Sequence, residues 1–175
     1  MVVLVLMVLL ASRGRGEGGV AEEAAYACPR PRDWDPYSLV PLVLEVEVDT
    51  QGEIHLRRAT AAVDCGIAVN PDSVIAQIEG GVLFGLSAAL YNAITFENGR
   101  VQQSNFHDYR QIRMNEVPPF EVFVMPSEEK PGGLGEVGTV SAAPALANAI
   151  FAAAGVRLRA LPIDRRALGA KGKQL

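Results

Sequence analysis

One carboxylate of this sequence, Glu136, stands in a run of glycines where it could work as a general base. The run Pro131–Thr139 reads Pro-Gly-Gly-Leu-Gly-Glu-Val-Gly-Thr and precedes a predicted helix. Glycines let the backbone approach a large ligand closely, and the free N–H groups at a helix start attract anionic oxygens. A carboxylate enclosed in such a pocket loses water, which favours its protonated form and suits it to proton transfer near neutral pH. The residues alone also allow a glycine-rich turn that carries one solvated acid.

A second group of candidates lies on one predicted helix, where Gln77 precedes Gly80, Gly81 and Gly85. Each glycine costs a helix roughly 1 kcal/mol relative to alanine. Close approach by another backbone or by a ligand would compensate for that cost, so we expect this face to be covered. The Gln77 amide then either binds the ligand or satisfies a neighbouring backbone group.

Cys65 and His107 suggest a nucleophile and a base, but the sequence has no nucleophile elbow or other signature of an activated thiol. A buried thiol and a structural or interface histidine are the simpler interpretations. Asp64 and Asn70 are expected to fix a strand-to-helix turn. Cys28 and Cys65 lie far apart and form no metal-binding pair, so we predict neither a disulfide framework nor a metal ligand in this chain.

Hydrophobic periodicity predicts the elements that must position these residues. Leu42–Val48 and Glu53–Val63 alternate on either side of the turn residues Asp49–Gly52, which is typical of an antiparallel hairpin. Asn70-Pro71-Asp72 is a helix-start signal, and the apolar residues that follow recur at three- and four-residue steps up to Leu90.

The second half of the chain is predicted to contain shorter elements and one more long helix. Two strands, Tyr91–Phe96 and Arg100–Gln103, are predicted on either side of a tight turn at Asn98-Gly99. A further strand is predicted at Phe120–Met125, and a helix at about Ala142–Ala154 is ended by Gly155. Strands mixed with two long helices predict an α+β fold in which antiparallel hairpins pack with the helices. We expect one domain at 42–163, an irregular segment at 1–41 and a loose tail at 164–175.

Length and charge exclude several classes of function. The chain has 175 residues and a formal net charge of −4, so it lacks the basic surface that binds nucleic acids. The apolar run Met1–Leu10 is too short to span a membrane, which needs about 20 residues, and its flanking charges are unlike those of an export signal. We therefore expect no membrane span, no signal peptide, and a cytoplasmic or periplasmic location of the bacterial type.

Four sequence blocks occur in the order and spacing of one enzyme family. They are Val63–Pro71, Ala76–Gly81, Gln102–Tyr109 and Gly133–Glu136. Through these blocks residues 42–163 resemble the C-terminal, molybdopterin-binding part of the large subunit of molybdenum hydroxylases, in the xanthine dehydrogenase and aldehyde oxidase family. The resemblance is greatest to the branch of the isoquinoline 1-oxidoreductase beta subunit and the related aldehyde dehydrogenases. Four ordered blocks are far more specific than one glycine motif.

The resemblance implies a role for each candidate residue. Glu136 corresponds to the general base beside the molybdenum, and Gln77 to the glutamine that hydrogen-bonds the pterin. Gly80, Gly81 and Gly135 correspond to positions where the backbone passes close to the cofactor. The implied cofactor is molybdopterin, as its cytosine dinucleotide, with molybdenum. The implied reaction hydroxylates an N-heterocycle or oxidises an aldehyde with an oxygen atom from water.

The resemblance also implies partners. A small iron–sulfur subunit would carry the [2Fe–2S] clusters that receive the electrons, since this chain has no cysteine cluster for them. The N-terminal half of the large subunit would supply the other wall of the site, so the chain alone is expected to be inactive. The alternative, from a different class, is a non-catalytic assembly module of the same fold that binds a partner subunit and no pterin.

Overall fold

The structure is a computed structural model that describes residues 20–22 and 38–169. In chain order its elements are β1 (Val20–Glu22), β2 (Leu42–Val48), β3 (Ile54–Val63), α1 (Pro71–Leu90), β4 (Phe96–Glu97), β5 (Arg100–Val101), a short 3₁₀ turn (Met114–Glu116), β6 (Phe120–Val124), α2 (Val137–Ala154) and α3 (Arg166–Gly169). The predicted α+β class is confirmed, with helices and small sheets that form one layered unit.

The main sheet has the strand order β1-β2-β3-β6. β1 and β3 flank β2 as antiparallel neighbours, which confirms the predicted hairpin, whereas β3 and β6 pair in parallel. The turn between β2 and β3 closes on Asp49, whose carboxylate accepts the N–H groups of Gln51 at 2.8 Å and Glu53 at 2.9 Å. Gly52 follows with φ 84°, a left-handed conformation that favours glycine.

Helix α1 begins as the sequence predicts. The Asn70 side chain accepts the N–H groups of Asp72 at 3.1 Å and Ser73 at 3.3 Å, and Pro71 occupies the first turn. Proline suits that position because its missing N–H has no partner in the helix and its φ is already helical. The cap therefore fixes where α1 starts, six residues before Gln77.

The hydrophobic core lies between the main sheet and the two long helices. Helix α2 packs on β1 and β2, and α1 packs against α2 and β6. Alternate residues of β2 point into this core, as the two-residue period predicts. The large side chains that are fully buried include Leu42, Leu44, Val46, Ile78, Val82, Leu86, Leu146 and Ile150.

Both long helices are also long and apolar enough to cross a membrane, judged by length and composition among the described residues. In this structure they face each other and the sheet, and Ile78 and Leu146 in the core between them are completely buried. Core helices of this composition meet the same criterion, so helix length adds no independent indication of a membrane span.

Glycines let α1 and α2 approach each other closely. A Cβ added to Gly85 would lie 2.5 Å from the carbonyl oxygen of Thr139, and one added to Gly81 would lie 3.3 Å from the Cα of Gly138. The expectation that the glycine face of α1 is covered is therefore confirmed at Gly81 and Gly85. It is wrong at Gly80, where an added Cβ would meet nothing within 4 Å.

This difference predicts opposite effects for two identical substitutions in α1. Gly80→Ala is expected to raise the free energy of unfolding by up to about 1 kcal/mol, because alanine favours the helix and finds open space. Gly85→Ala is expected to lower it by about 1–3 kcal/mol, because the new methyl group overlaps the backbone of α2. Urea unfolding of both variants beside the parent chain measures the two shifts. Equal shifts of the same sign would contradict this contact between the helices.

The second hairpin is shorter than the sequence suggests. Its Asn98-Gly99 turn is present, with φ values of 50° and 77°, but only Phe96–Glu97 and Arg100–Val101 pair across it. The predicted strand Tyr91–Phe96 is wrong for most of its length.

Residues before that hairpin find other hydrogen-bond partners, which explains the missing strand. The N–H groups of Tyr91 and Asn92 both donate to the carbonyl of Ser87 and close the end of α1. The N–H of Thr95 donates to the side chain of Gln103 at 2.7 Å. Local capping and side-chain contacts thus replace the strand ladder.

Helix α2 begins at Val137, five residues before the predicted start, and ends at Gly155 as predicted with φ 65°. Gly138 disfavours a helix, so propensity does not predict the earlier turns. The structure shows what offsets this unfavourable helix propensity. Gly138 is buried, and a Cβ there would lie 2.9 Å from the carbonyl oxygen of Ile78. Contact with α1 therefore fixes the first turn of α2.

Two short elements lie in segments that the sequence predicts to be irregular. Strand β1 belongs to the 1–41 segment, and helix α3 belongs to the predicted loose tail at 164–175, with Leu168 buried. Residues 170–175 of that tail lie outside the described residues. So do the run Met1–Leu10 and Cys28.

A cluster around Tyr91 attaches the C-terminal segment to the end of α1. The Tyr91 hydroxyl donates to Glu116 at 2.5 Å, and its ring lies near two guanidinium groups, 4.0 Å from Arg110 and 5.0 Å from Arg165. Burial, together with the hydrogen bond to Glu116, raises the pKa of Tyr91. This hydroxyl therefore stays a hydrogen-bond donor at neutral pH.

Candidate functional site

A pocket of about 440 Å³ lies between α1 and the start of α2. Its lining residues come from the middle of α1, from the loop that precedes α2 and from the first turn of α2: Gln77, Gly80, Gly81, Phe84, Gly135, Glu136, Thr139 and Val140. The five residues to which the family resemblance gives a catalytic or cofactor-binding role all belong to this set. Two segments separated by more than fifty residues thus meet at one place.

One face of α1 forms the first wall. Gln77, Gly80, Gly81 and Phe84 follow the three- and four-residue spacing of a single helix face. The side-chain N–H of Gln77 donates to the carbonyl of Gly135 at 3.1 Å. Its side-chain oxygen accepts no hydrogen bond from the described residues, so it remains available as an acceptor at the pocket.

Glu136 occupies the N-cap position of α2 in the second wall. Its side chain is exposed and makes no capping hydrogen bond, while its carbonyl accepts the N–H groups of Thr139 at 3.0 Å and Val140 at 3.3 Å. The N–H groups of Val137 and Gly138 precede the first helical hydrogen bonds and make none to the described residues. A carboxylate and helix-start donors therefore lie side by side.

Two hydrogen bonds fix the walls relative to each other. One is the Gln77 contact to Gly135, and the other joins the hydroxyl of Thr139 to the carbonyl of Gly81 at 3.1 Å. The spacing between Gln77 and Glu136 is therefore set by two side chains that each donate to a backbone carbonyl on the opposite wall.

The rim of the pocket is apolar. Phe84 is 63% exposed and Val140 is 58% exposed, and large apolar side chains that line a concave surface commonly contact a ligand or a partner. Neither residue was predicted from the sequence to belong to the site. Phe84 lies seven residues after Gln77 on the same helix face, and this spacing is the signal that predicts its position.

The pocket could hold a large polar ligand but not a metal ion by itself. Among the described residues no group of three or more metal-ligating side chains comes together. The walls offer an amide oxygen and one carboxylate, the free N–H groups at the start of α2 lie next to that carboxylate in the chain, and open space lies in front of Gly80 and Gly135. This set suits an extended cofactor that brings its own metal and anionic groups.

The nucleophile hypothesis for Cys65 and His107 gains no support from the structure. Cys65 is buried, and burial together with the charge of Asp64 raises the pKa of its thiol, the opposite of activation. His107 is exposed, with its Nε2 3.5 Å from the carboxylate of Asp108. Asp64 instead accepts the N–H of Gly66 at 3.2 Å, which confirms its predicted role in the turn.

Comparison with known proteins gives a family for more than half of the chain. The family model of the molybdopterin cofactor-binding domain matches residues 10–118, which contain α1 but end before Glu136. Isoquinoline 1-oxidoreductase subunit beta of Brevundimonas diminuta is 38% identical over 149 residues, which are 83% of this chain and 18% of that protein. Membrane-bound aldehyde dehydrogenase [pyrroloquinoline-quinone] of Gluconacetobacter polyoxogenes is 42% identical over 122 residues, 69% of this chain and 16% of that protein.

Solved structures show the same fold. Quinoline 2-oxidoreductase from Pseudomonas putida 86 matches with a TM-score of 0.70 and 21% identity, over 78% of this chain and 19% of that one. Reconstituted CO dehydrogenase from Oligotropha carboxidovorans matches with a TM-score of 0.67 and 25% identity, over 78% of this chain and 18% of that one. The chain thus spans about a fifth or less of the length of these relatives.

Proposed function

Because this chain belongs to the molybdopterin cofactor-binding domain family, we propose that its pocket is one wall of the active site of a molybdenum hydroxylase. The whole enzyme would hydroxylate an N-heterocycle or oxidise an aldehyde with oxygen derived from water. Glu136 is the general base of that site, and Gln77 positions the cofactor. The observation that carries this proposal is that both residues line one pocket with Gly80, Gly81 and Gly135.

The residues present fit a molybdopterin. The free amide oxygen of Gln77 can accept from a pterin N–H, and the start of α2 beside Glu136 is the kind of helix end that favours anionic groups. Gly80 leaves bare backbone on the same wall, so a flat ligand can lie against it. When bound, the cofactor supplies the redox and oxygen-transfer chemistry.

The part played by the protein is to hold a proton acceptor at a fixed place. Glu136 stands at the N-cap of α2, and the two hydrogen bonds between the walls limit how far it can move relative to Gln77. Its carboxylate is exposed in the described chain, so water must be excluded by segments that close over the pocket. Glu136 would then accept a proton in the step that forms the bond to the substrate carbon.

The proposal includes partners for the remaining functions. The rest of the large subunit would cover the open side of the pocket, and a small iron–sulfur subunit would carry [2Fe–2S] clusters that take the electrons away. The cofactor form we propose is the cytosine dinucleotide, in a cytoplasmic or periplasmic enzyme.

Two other functions have a specific observation in their favour. The exposed Phe84 and Val140 at the pocket rim are also what a non-catalytic assembly module would present to a partner subunit. The name of the Gluconacetobacter polyoxogenes relative includes pyrroloquinoline quinone, a cofactor without molybdenum. Extraction and identification of the bound cofactor, with metal analysis, distinguishes all three functions.

The role of Gln77 is tested by cofactor retention. Gln77→Ala is expected to weaken retention of the molybdopterin in the full complex by about 1–3 kcal/mol, because the ligand group left behind loses its partner. Turnover per bound molybdenum should fall much less, because the hydrogen bond between Thr139 and Gly81 still joins the two walls. Bound molybdenum after dialysis, measured across a series of protein concentrations, gives the effect.

The control is Glu79→Ala, a truncation on the same helix at a residue that does not line the pocket. It should leave retention unchanged. Equal losses for the two variants would mean that Gln77 acts through helix stability and not through the cofactor.

A further inference from the structure

The loop that carries Glu136 is attached at both of its ends. Its far end is held by α1 through the hydrogen bond between Gln77 and Gly135. Its near end, at 129–132, lies against the turn Asp64–Ile67 that joins β3 to α1. Nothing in the proposed function assigns a role to this second attachment.

Two short backbone hydrogen bonds join the turn to the loop. The N–H of Ile67 donates to the carbonyl of Glu129 at 2.9 Å, and the N–H of Gly132 donates to the carbonyl of Cys65 at 2.7 Å. The second bond ends only four residues before Glu136. Loops positioned by backbone pairing on a rigid scaffold hold their functional residues in place.

Gly66 is the residue that permits this contact. It is buried with φ 71°, and an added Cβ would overlap the carbonyl oxygen of Lys130 and lie 2.7 Å from that of Glu129. Both neighbours are backbone atoms, so neither can rotate away as a side chain could. The carboxylate of Asp64 accepts the N–H of Gly66 at 3.2 Å and holds the turn in this conformation.

We propose that Gly66, held by Asp64, is a positioning residue for Glu136, because its bare backbone sets the path of the loop that carries the base. This inference rests on the proposed role of Glu136. It concerns placement of the base and not binding of the cofactor, since the turn lies outside the pocket lining.

The matched test compares two glycines with the same backbone strain. Gly66 and Gly99 have φ values of 71° and 77°, but a Cβ at Gly99 would meet nothing within 4 Å. In the full complex, Gly66→Ala is expected to lower turnover per bound molybdenum on the order of 10²-fold, the scale of a displacement of about 1 Å. The KM should stay the same, and Gly99→Ala should change neither quantity. Equal effects of the two variants would overturn the proposal.

A double-mutant cycle with Glu136→Gln shows whether Gly66 acts through the base. If it does, Gly66→Ala has little further effect on the residual turnover of Glu136→Gln. If it lowers that residual turnover by the same factor as in the parent, Gly66 is structural only and the proposal fails. Parental turnover in Glu136→Gln alone would overturn the proposed function instead, whatever Gly66 does.

Two less disruptive variants, both at Asp64, test the proposal if Gly66→Ala does not fold. Asp64→Ala removes the acceptor for the Gly66 N–H, whereas Asp64→Asn keeps one. We expect the alanine variant to lose both turnover per molybdenum and hydrogen-exchange protection at Gly132, and the asparagine variant to retain both. Protection unchanged in Asp64→Ala, or no rescue by asparagine, would overturn the role assigned to this turn.

Discussion

Replacement of Glu136 by glutamine is expected to lower turnover per bound molybdenum by about 10² to 10⁴-fold, the usual effect of removing a general base. Glutamine keeps the size of the side chain and most of its hydrogen bonds but cannot accept the proton. The side chain of Glu136 makes no capping hydrogen bond, so α2 should keep its start at Val137. Turnover of the full complex, normalised to its molybdenum content, measures the effect.

The matched control is Glu128→Gln, an exposed acid earlier in the same loop that does not line the pocket. It carries the same change in charge and should turn over at the parental rate. If Glu136→Gln also turned over at the parental rate, Glu136 would be an ordinary solvated loop acid. If both variants were slow, the charge of the loop would matter and not the position of one carboxylate.

The isolated 175-residue chain is expected to purify without molybdenum, whereas the chain assembled with the rest of the large subunit should hold about one equivalent. Cofactor sites normally enclose about 70–90% or more of the surface of their ligand. The pocket between α1 and α2 has two walls, and Glu136 on one of them is exposed. A large cofactor would therefore keep much of its surface in water and dissociate during purification.

Elemental analysis and cofactor extraction from both preparations test this expectation. A Gln77→Ala assembly prepared in parallel shows whether the metal sits in the proposed pocket, because only metal bound there depends on that amide. Stoichiometric molybdenum in the isolated chain would mean that its own residues complete the binding site. It would also remove the need for a second wall from another segment.

Local sequence signals predict the elements that local contacts determine. The Asp49 turn and the Asn70 cap are both made by a side chain that bonds backbone groups two to four residues away, so the pattern of a few residues is sufficient. The start of α2 is different, because Gly138 becomes helical through contact with the backbone of α1 near Ile78. Propensity at one position holds no information about that distant partner.

The same distinction applies to the candidate site. Periodicity and glycine content indicate that Gln77 and Glu136 each lie among glycines, where a backbone or a ligand can approach closely. Only the ordered sequence blocks suggest that the two residues serve one cofactor. Helical spacing places Phe84 on the same face as Gln77, but it does not predict that this face forms the rim of a pocket, because the rim forms only where α2 packs beside α1. The sequence also does not predict the contact between Gly66 and Lys130, because that contact depends on the order of the strands in the sheet.

The parallel pairing of β3 with β6 has a consequence for how the chain folds and how it can be cut. Parallel neighbours need a long crossover, and here it contains α1 and the whole second hairpin. Such pairing between distant residues forms late and slowly. A shortened chain that stops at residue 118, where the family match ends, would lack β6 and leave β3 with an unpaired edge. Exposed edges of this kind recruit strands from other molecules, so the shortened protein should aggregate during refolding.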